Sequence, residues 1–176
     1  MMRKTFLWIG AAAALAVGGT AWSHDAAKPG DAQIAHIAYT AGQIDVVAGK
    51  QALAKSKNPA VRAFAEEMVR DHGAVNEQAL ALVGRLGVTP EANATSAALT
   101  AQAAQKHDEL AKLDGAAFDR AYVANEVAYH ATVNGALRDL LIPSASNGEL
   151  KSLLETGLTL FGEHQKHAEH LAASLR

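Results

Sequence analysis

The chain has 176 residues, with 16 lysines and arginines against 18 aspartates and glutamates, and it has no cysteine. A mildly acidic chain is a poor candidate for binding nucleic acid, because affinity for the phosphate backbone comes from clustered basic residues. The lack of cysteine excludes disulfides and thiolate metal sites, so any bound metal would need histidine and carboxylate ligands.

The N-terminus has the pattern of a secretory signal peptide. A basic start at Arg3 and Lys4 precedes an apolar run, and Ala21-Trp22-Ser23 has the small residues of a cleavage site. The apolar run is shorter than the about 20 residues that a membrane span needs, so a retained anchor is the less favoured alternative.

These features predict the domain organisation and the location of the protein. We predict a signal peptide at residues 1–23, a flexible lead-in at 24–30, and one domain at 31–176. The mature chain would have no transmembrane span. It would be periplasmic or associated with the outer membrane, with an envelope partner or self-association.

The remainder of the chain predicts helices only. It is rich in helix-forming residues, shows no period-two alternation, and is divided by proline, glycine and asparagine. The predicted helices span residues 32–55, 96–113, 116–141 and 149–174, and a further helix opens at Asn58-Pro59 and is ended by residues 84–90. Four are long, and a longer helical connection separates the second long helix from the third. This connectivity predicts an all-α, ferritin-like, up-and-down four-helix bundle.

Ionisable residues interrupt the apolar face of every long helix. An α-helix turns by about 100° per residue, which places each side chain relative to the apolar stripe of its helix. The inward ionisable residues are Asp45 of the first long helix, His72 of the second, Glu126 and His130 of the third, and His164 of the fourth. Each lies near the middle of its helix, so we expect the five to meet inside the bundle.

Buried ionisable groups must be paired with one another or bound to a metal. One interpretation is therefore a site for one divalent metal, such as zinc, iron, manganese or copper. The alternative is a non-catalytic structural or interaction module in which the same residues form a hydrogen-bonded core network. A third hypothesis, a redox enzyme, would need a redox metal with an open coordination position. We favour a binding or structural role over an enzyme.

Two weaker metal candidates lie outside this set. Glu163, His167 and His170 form a ridge along the outer edge of the last helix, where histidine is also favoured by the helix dipole. His24 would become the N-terminal residue if cleavage follows Ser23, and its free amine and imidazole would then chelate copper. The ridge is better explained as a solvated polar face.

Two stretches resemble the family called domain of unknown function 4142. They are FAEEMVRDH at residues 64–72 and LDGAAFDRAYV at 113–123, followed by His130 and by His164 with Ala168. The resemblance implies an exported bacterial protein, of a kind often labelled as an outer-membrane or membrane protein, with a ferritin-like fold. It implies no established activity.

The chain departs from two related patterns. Members of the family often carry glutamate in the first helix after a glycine, whereas here Asp45 follows Gly42. A ligand role for the shorter aspartate therefore requires closer helix packing. The di-iron bundle pattern of Glu-x-x-His on two helices is absent, because the inward pair is Glu126-x-x-x-His130. A mononuclear site or a polar network fits better.

Overall fold

The structure, a computed structural model, describes residues 28–175, which form only helices and their connections. The predicted signal peptide and His24 lie outside the described residues. The helices are α1 (Asp31–Lys55), α2 (Pro59–Leu86), α3 (Ala94–Ala111), α4 (Gly115–Ala136), a π-helical turn (Leu137–Leu141), α5 (Ile142–Ser144) and α6 (Gly148–Ser174). The predicted all-α fold is confirmed, and each long helix begins within one residue of its predicted start.

Asparagine side chains cap three of the helices at their N-termini. The side-chain oxygen of Asn58 accepts hydrogen bonds from the first free N–H groups of α2, and Pro59 follows at the first helical position. Asn93 does the same for α3 and Asn147 for α6. These caps satisfy backbone donors that would otherwise lack partners, which explains why the helices begin at these residues.

The end of α4 differs from the prediction. A loop was expected from Ile142, but the helical path continues to Ser144 through the π-helical turn. There the N–H of Ile142 donates to the carbonyl of Leu137, five residues earlier. Pro143 lacks an N–H and its ring would clash with a carbonyl of an ordinary α-turn. The wider π-turn accommodates this proline, and the connection shortens to residues 145–147.

The four long helices pack around a shared interior. α1 lies against α2, and α4 lies against α6; contacts of α2 with α6 and of α1 with α4 complete the arrangement. Tyr129 of α4 donates a hydrogen bond to the carbonyl of Ala41 of α1 over 2.9 Å. α3 lies mainly along α1. The more specific ferritin-like relationship stays a prediction.

The buried apolar residues form two clusters. One includes Phe64, Met68, Phe118 and Tyr122. The other includes Ile34, Leu82, Leu137, Leu154 and Phe161. Along each long helix, the two clusters occupy opposite halves, so the middle of every helix falls between them. The five predicted inward residues lie in this middle zone.

Within residues 28–175, no helix is both long enough and apolar enough to cross a bilayer.

Candidate metal centre

A layer of buried ionisable side chains separates the two apolar clusters. It consists of Asp45, His72, Glu126, His130 and His164, which we call the polar layer. Each of these residues is at most 2% exposed. The structure therefore brings together all five residues that the helical pattern placed inward.

Asp45 reaches the layer because α1 approaches α2 closely. A Cβ atom on Gly49 would lie 2.9 Å from a methyl carbon of Val69 and 3.0 Å from the carbonyl oxygen of Ala65. A Cβ on Gly42 would lie 2.3 Å from the side-chain oxygen of Asn76. These glycines flank Asp45, so the close packing that its short side chain requires is present.

α4 contributes two residues one turn apart. Nδ1 of His130 lies 3.0 Å from the carbonyl oxygen of Glu126, which assigns the ring proton to Nδ1. The Nε2 lone pair is then free, and Nε2 lies 3.4 Å from Oδ2 of Asp45. The carboxyl of Glu126 lies beside the same ring, with Oε2 3.7 Å from Nδ1.

His72 of α2 lies opposite Asp45. Its Nε2 atom is 3.0 Å from Oδ2 of Asp45, but the two are not aligned as a hydrogen bond. Its ring stacks on Phe161, with the ring centroids 4.3 Å apart and the planes at 10°. This stacking fixes the ring while both nitrogens lack a hydrogen-bond partner among the described residues.

His164 of α6 is oriented by a residue that the sequence placed only on the flank of α2. Its Nε2–H donates to Oδ2 of Asp71 over 3.1 Å. Asp71 also accepts two hydrogen bonds from Arg70, at 2.7 and 3.0 Å. Nδ1 of His164 is buried with no partner among the described residues. Asp71 thus holds the ring and leaves Nδ1 available.

The three imidazoles form a nearly equilateral triangle. Ring centroids are 5.6 Å apart for His72 and His130, 5.3 Å for His72 and His164, and 5.7 Å for His130 and His164. One nitrogen from each ring lies within 4.8 Å of the others. Asp45, Glu126 and His130 meet the same criterion. Nitrogen and oxygen donors from four helices therefore converge on one region.

The two buried carboxyls have opposite pKa shifts. Burial alone would raise the pKa of Asp45, but the attraction of His72 and His130 outweighs it and lowers this pKa to about 2. Burial, reinforced by the negative charge of Asp45, raises the pKa of Glu126 well above its usual value. Two carboxyls this close do not both ionise, so Asp45 carries the charge and Glu126 the proton.

Burial also determines the protonation of two histidines. It is the largest cause that lowers the pKa of His130 and of His164, because a charged imidazole is poorly solvated in the core. Both rings are therefore neutral at pH 7. A neutral imidazole is the form that binds a metal.

The polar layer leaves many polar atoms without a partner among residues 28–175. They are both carboxylate oxygens of Asp45, both ring nitrogens of His72, Oε2 of Glu126, Nε2 of His130 and Nδ1 of His164. Buried polar atoms in folded proteins are almost always satisfied, because an unpaired one is costly. Seven such atoms of the described residues belong to this one layer.

The weaker surface candidates do not form a comparable group. Glu163 accepts from Lys166 at 2.8 Å, and His167 lies 2.7 Å from the carboxylate of Glu67 on α2. His170 is exposed. Within the described residues, Glu163, His167 and His170 do not bring three ligand atoms within 4.8 Å of one another.

Comparison with known proteins identifies the family of this all-helical chain. Residues 18–171 match the family described as "Domain of unknown function (DUF4142)". The chain belongs to this family, and the predicted resemblance is confirmed. No curated protein matches it.

One similar solved structure is a DUF305 protein from Streptomyces coelicolor that is described as secreted. The TM-score is 0.68 at 11% identity, and the match covers 81% of this chain and 91% of that one. At this identity the likeness supports the helical fold alone.

Proposed function

We propose that this protein is an exported metal-binding protein that holds one divalent metal ion in the polar layer. The ligands would come from Asp45, His72, Glu126, His130 and His164. The biological role would be metal handling or a stress response. The observation that carries the proposal is the convergence of unpartnered donor atoms in a buried layer.

The distances between donor atoms fit a first-row metal. Two ligand atoms that each lie about 2.0–2.1 Å from a tetrahedral zinc ion stand about 3.3 Å apart. Oδ2 of Asp45 lies 3.0 Å from Nε2 of His72 and 3.4 Å from Nε2 of His130. Both distances match the spacing of neighbouring ligands of one ion, and the shorter one is also that of an ion pair.

The hydrogen bonds that orient the candidate histidine ligands also support metal binding. Histidine ligands usually donate their other ring N–H to a carbonyl or carboxylate, which fixes the tautomer. His130 donates to the carbonyl of Glu126, and His164 donates to Asp71. Two carboxylates and neutral imidazoles would balance one divalent charge, with Glu126 releasing its proton on binding. The donor set suits zinc, iron, manganese or copper.

Export supports a role outside the cytoplasm. The signal-peptide pattern at residues 1–23 predicts export, and the similar DUF305 structure is described as secreted. We propose a periplasmic or outer-membrane-associated location.

The alternative is a non-catalytic structural or interaction module of the envelope. In this case the polar layer would be a core hydrogen-bond network. The His164–Asp71 contact and the contact of His130 with its own helix favour this alternative. A network would account for the approach of His72 to Asp45 and for a proton between Glu126 and Asp45. It leaves Nδ1 of His72 and Nδ1 of His164 without a hydrogen-bond partner among residues 28–175. A partly satisfied buried network is costly, so we favour the metal.

Metal titration of the purified protein tests the proposal. The metal-free wild type should bind about one equivalent of zinc, and the His72→Ala/His130→Ala variant should bind none. The matched control is His107→Ala/His170→Ala, which also removes two histidines but from exposed positions. Circular dichroism should show that every variant is folded. Unchanged stoichiometry in the His72/His130 variant would exclude the polar layer as the site.

A further inference from the structure

The polar layer has no donor residue open to solvent, since each member is at most 2% exposed. If it binds a metal, as proposed above, the ion must pass between helices to reach it. A useful path would offer ligands at the surface and would lead to a residue of the layer. Among the five members of the polar layer, only His164 contacts a partly exposed carboxylate in the described residues, that of Asp71.

Four side chains between α2 and α6 form what we call the outer cluster: Glu67, Asp71, His164 and His167. Nδ1 of His167 lies 2.7 Å from Oε2 of Glu67, and Nε2 of His164 lies 3.1 Å from Oδ2 of Asp71. Donor atoms of Glu67, Asp71 and His164 lie within 4.8 Å of one another. Exposure increases outward, from 1% for the His164 side chain to 18% for Asp71, 30% for Glu67 and 46% for His167.

We infer that the outer cluster is a second, solvent-facing site for divalent metal ions, through which the polar layer is loaded. His164 belongs to both groups and connects them. Its Nε2 atom lies in the outer cluster, and its Nδ1 atom is buried without a partner among the described residues.

Because both sites use the imidazole of His164, they cannot both be occupied with that ring as a ligand. A neutral imidazole has one lone pair, because the other nitrogen carries the proton. With the proton on Nε2, donated to Asp71, the ring offers Nδ1 to the interior. With the proton on Nδ1, it offers Nε2 to the outer cluster. The outer cluster is therefore a transient site, and the final stoichiometry stays at one ion per chain.

Arg70 keeps binding at the outer cluster weak. Its guanidinium makes two hydrogen bonds to Asp71, while the side chain is 69% exposed. An incoming cation competes with this positive charge and displaces a side chain that solvent readily accepts. The competing charge of Arg70 therefore slows the entry of a cation at the outer cluster.

The rate of zinc uptake tests this inference. Metal-free protein is mixed with zinc bound to a chromophoric chelator, and transfer is followed as the loss of the chelator complex. We expect Glu67→Gln/His167→Asn to slow uptake by about tenfold or more, because it removes a charge and a ligand from the entrance. The final stoichiometry should remain one. We expect Arg70→Gln to load faster than wild type, which loss of a purely structural contact would not produce.

A matched control separates this effect from general surface changes. Glu163→Gln/His170→Asn makes the same two substitutions on exposed residues of α6 outside the outer cluster. It should load at the wild-type rate. Melting temperatures identify any variant that is destabilised.

The outcomes distinguish the two proposals. If wild type binds one zinc but Glu67→Gln/His167→Asn loads as fast, the ion enters elsewhere and the inference is wrong. Slower loading by Arg70→Gln would also overturn it, because the cluster would then act only by positioning His164. If wild type takes up no zinc, the polar layer is not a metal site and both proposals fail.

Discussion

Asp45 is the residue on which the candidate metal centre depends most. Its Oδ2 atom approaches a nitrogen of His72 and one of His130, and its carboxylate is the charged one of the two in the layer. The close approach of α1 to α2 at Gly42 and Gly49 lets the short side chain of Asp45 reach the layer. The shorter side chain and the closer helix thus compensate for each other.

Removing the charge of Asp45 should weaken metal binding with little change in shape. We expect Asp45→Asn to lower zinc affinity by at least about 100-fold, since loss of an outer-shell partner alone costs about 10–100-fold. Isothermal titration calorimetry at pH 7 measures this effect. Asp108→Asn, at a side chain that is 81% exposed, is the control and should bind as wild type does. Equal affinity in both variants would show that Asp45 is not a ligand.

At the scale of the helix, Gly49 determines the distance between α1 and α2. We expect Gly49→Ala to destabilise the protein by about 1–3 kcal/mol, because its Cβ would press on the backbone carbonyl of Ala65. Alanine's better helix propensity recovers about 1 kcal/mol at most, so the clash should make the net change in the free energy of unfolding destabilising. Chemical denaturation of the metal-free protein measures this difference.

Gly73 of α2 provides the opposite case for comparison. A Cβ atom there meets nothing within 4 Å, so Gly73→Ala should stabilise the helix by up to about 1 kcal/mol. If both alanine variants were stabilised alike, the close approach of α1 to α2 would be wrong.

Helix boundaries and inward residues could be predicted from single-helix patterns. Asparagine caps, proline and glycine are local signals, and the 100° periodicity places each side chain relative to its own apolar stripe. These rules located the five residues of the polar layer. They did not predict the continuation past Leu141, because the π-turn that accommodates Pro143 has no simple sequence signal.

Contacts between helices were harder to predict. Asp71 lies on the flank of α2, and its hydrogen bond to His164 depends on how α2 and α6 are rotated against each other. The same holds for Glu67 and His167. The pattern of one helix carries no information on this rotation. Glu67 lies four residues before Asp71 and therefore on the same helix face. This pair of carboxylates was the available sequence signal for the outer cluster.

At the scale of the whole molecule, the polar layer makes the stability of the metal-free protein dependent on pH. Burial lowers the pKa values of His130 and His164, so below about pH 6.5 the unfolded chain binds protons that the folded chain does not. Stability therefore falls as the pH drops below this value. Asp45, with a pKa of about 2, adds a similar loss only in stronger acid.

Glu126 acts in the opposite direction. Its pKa is raised in the folded state, so the unfolded chain loses a proton at a lower pH than the folded chain does, and stability falls as the pH rises. We therefore expect the melting temperature of the metal-free protein to be highest near about pH 6.5. Glu126→Gln should remove the decline on the alkaline side. A profile that is flat from about pH 5 to 8 would contradict these protonation states.

Elemental analysis of the native protein tests whether the polar layer holds a metal ion. The protein should be exported by a bacterial host with its own signal peptide, and then purified untagged and without chelators. We predict about one divalent metal ion per chain, lost in His72→Ala/His130→Ala. Protein that contains no metal and takes up none on titration would contradict the claim, and the polar layer would then be a core hydrogen-bond network.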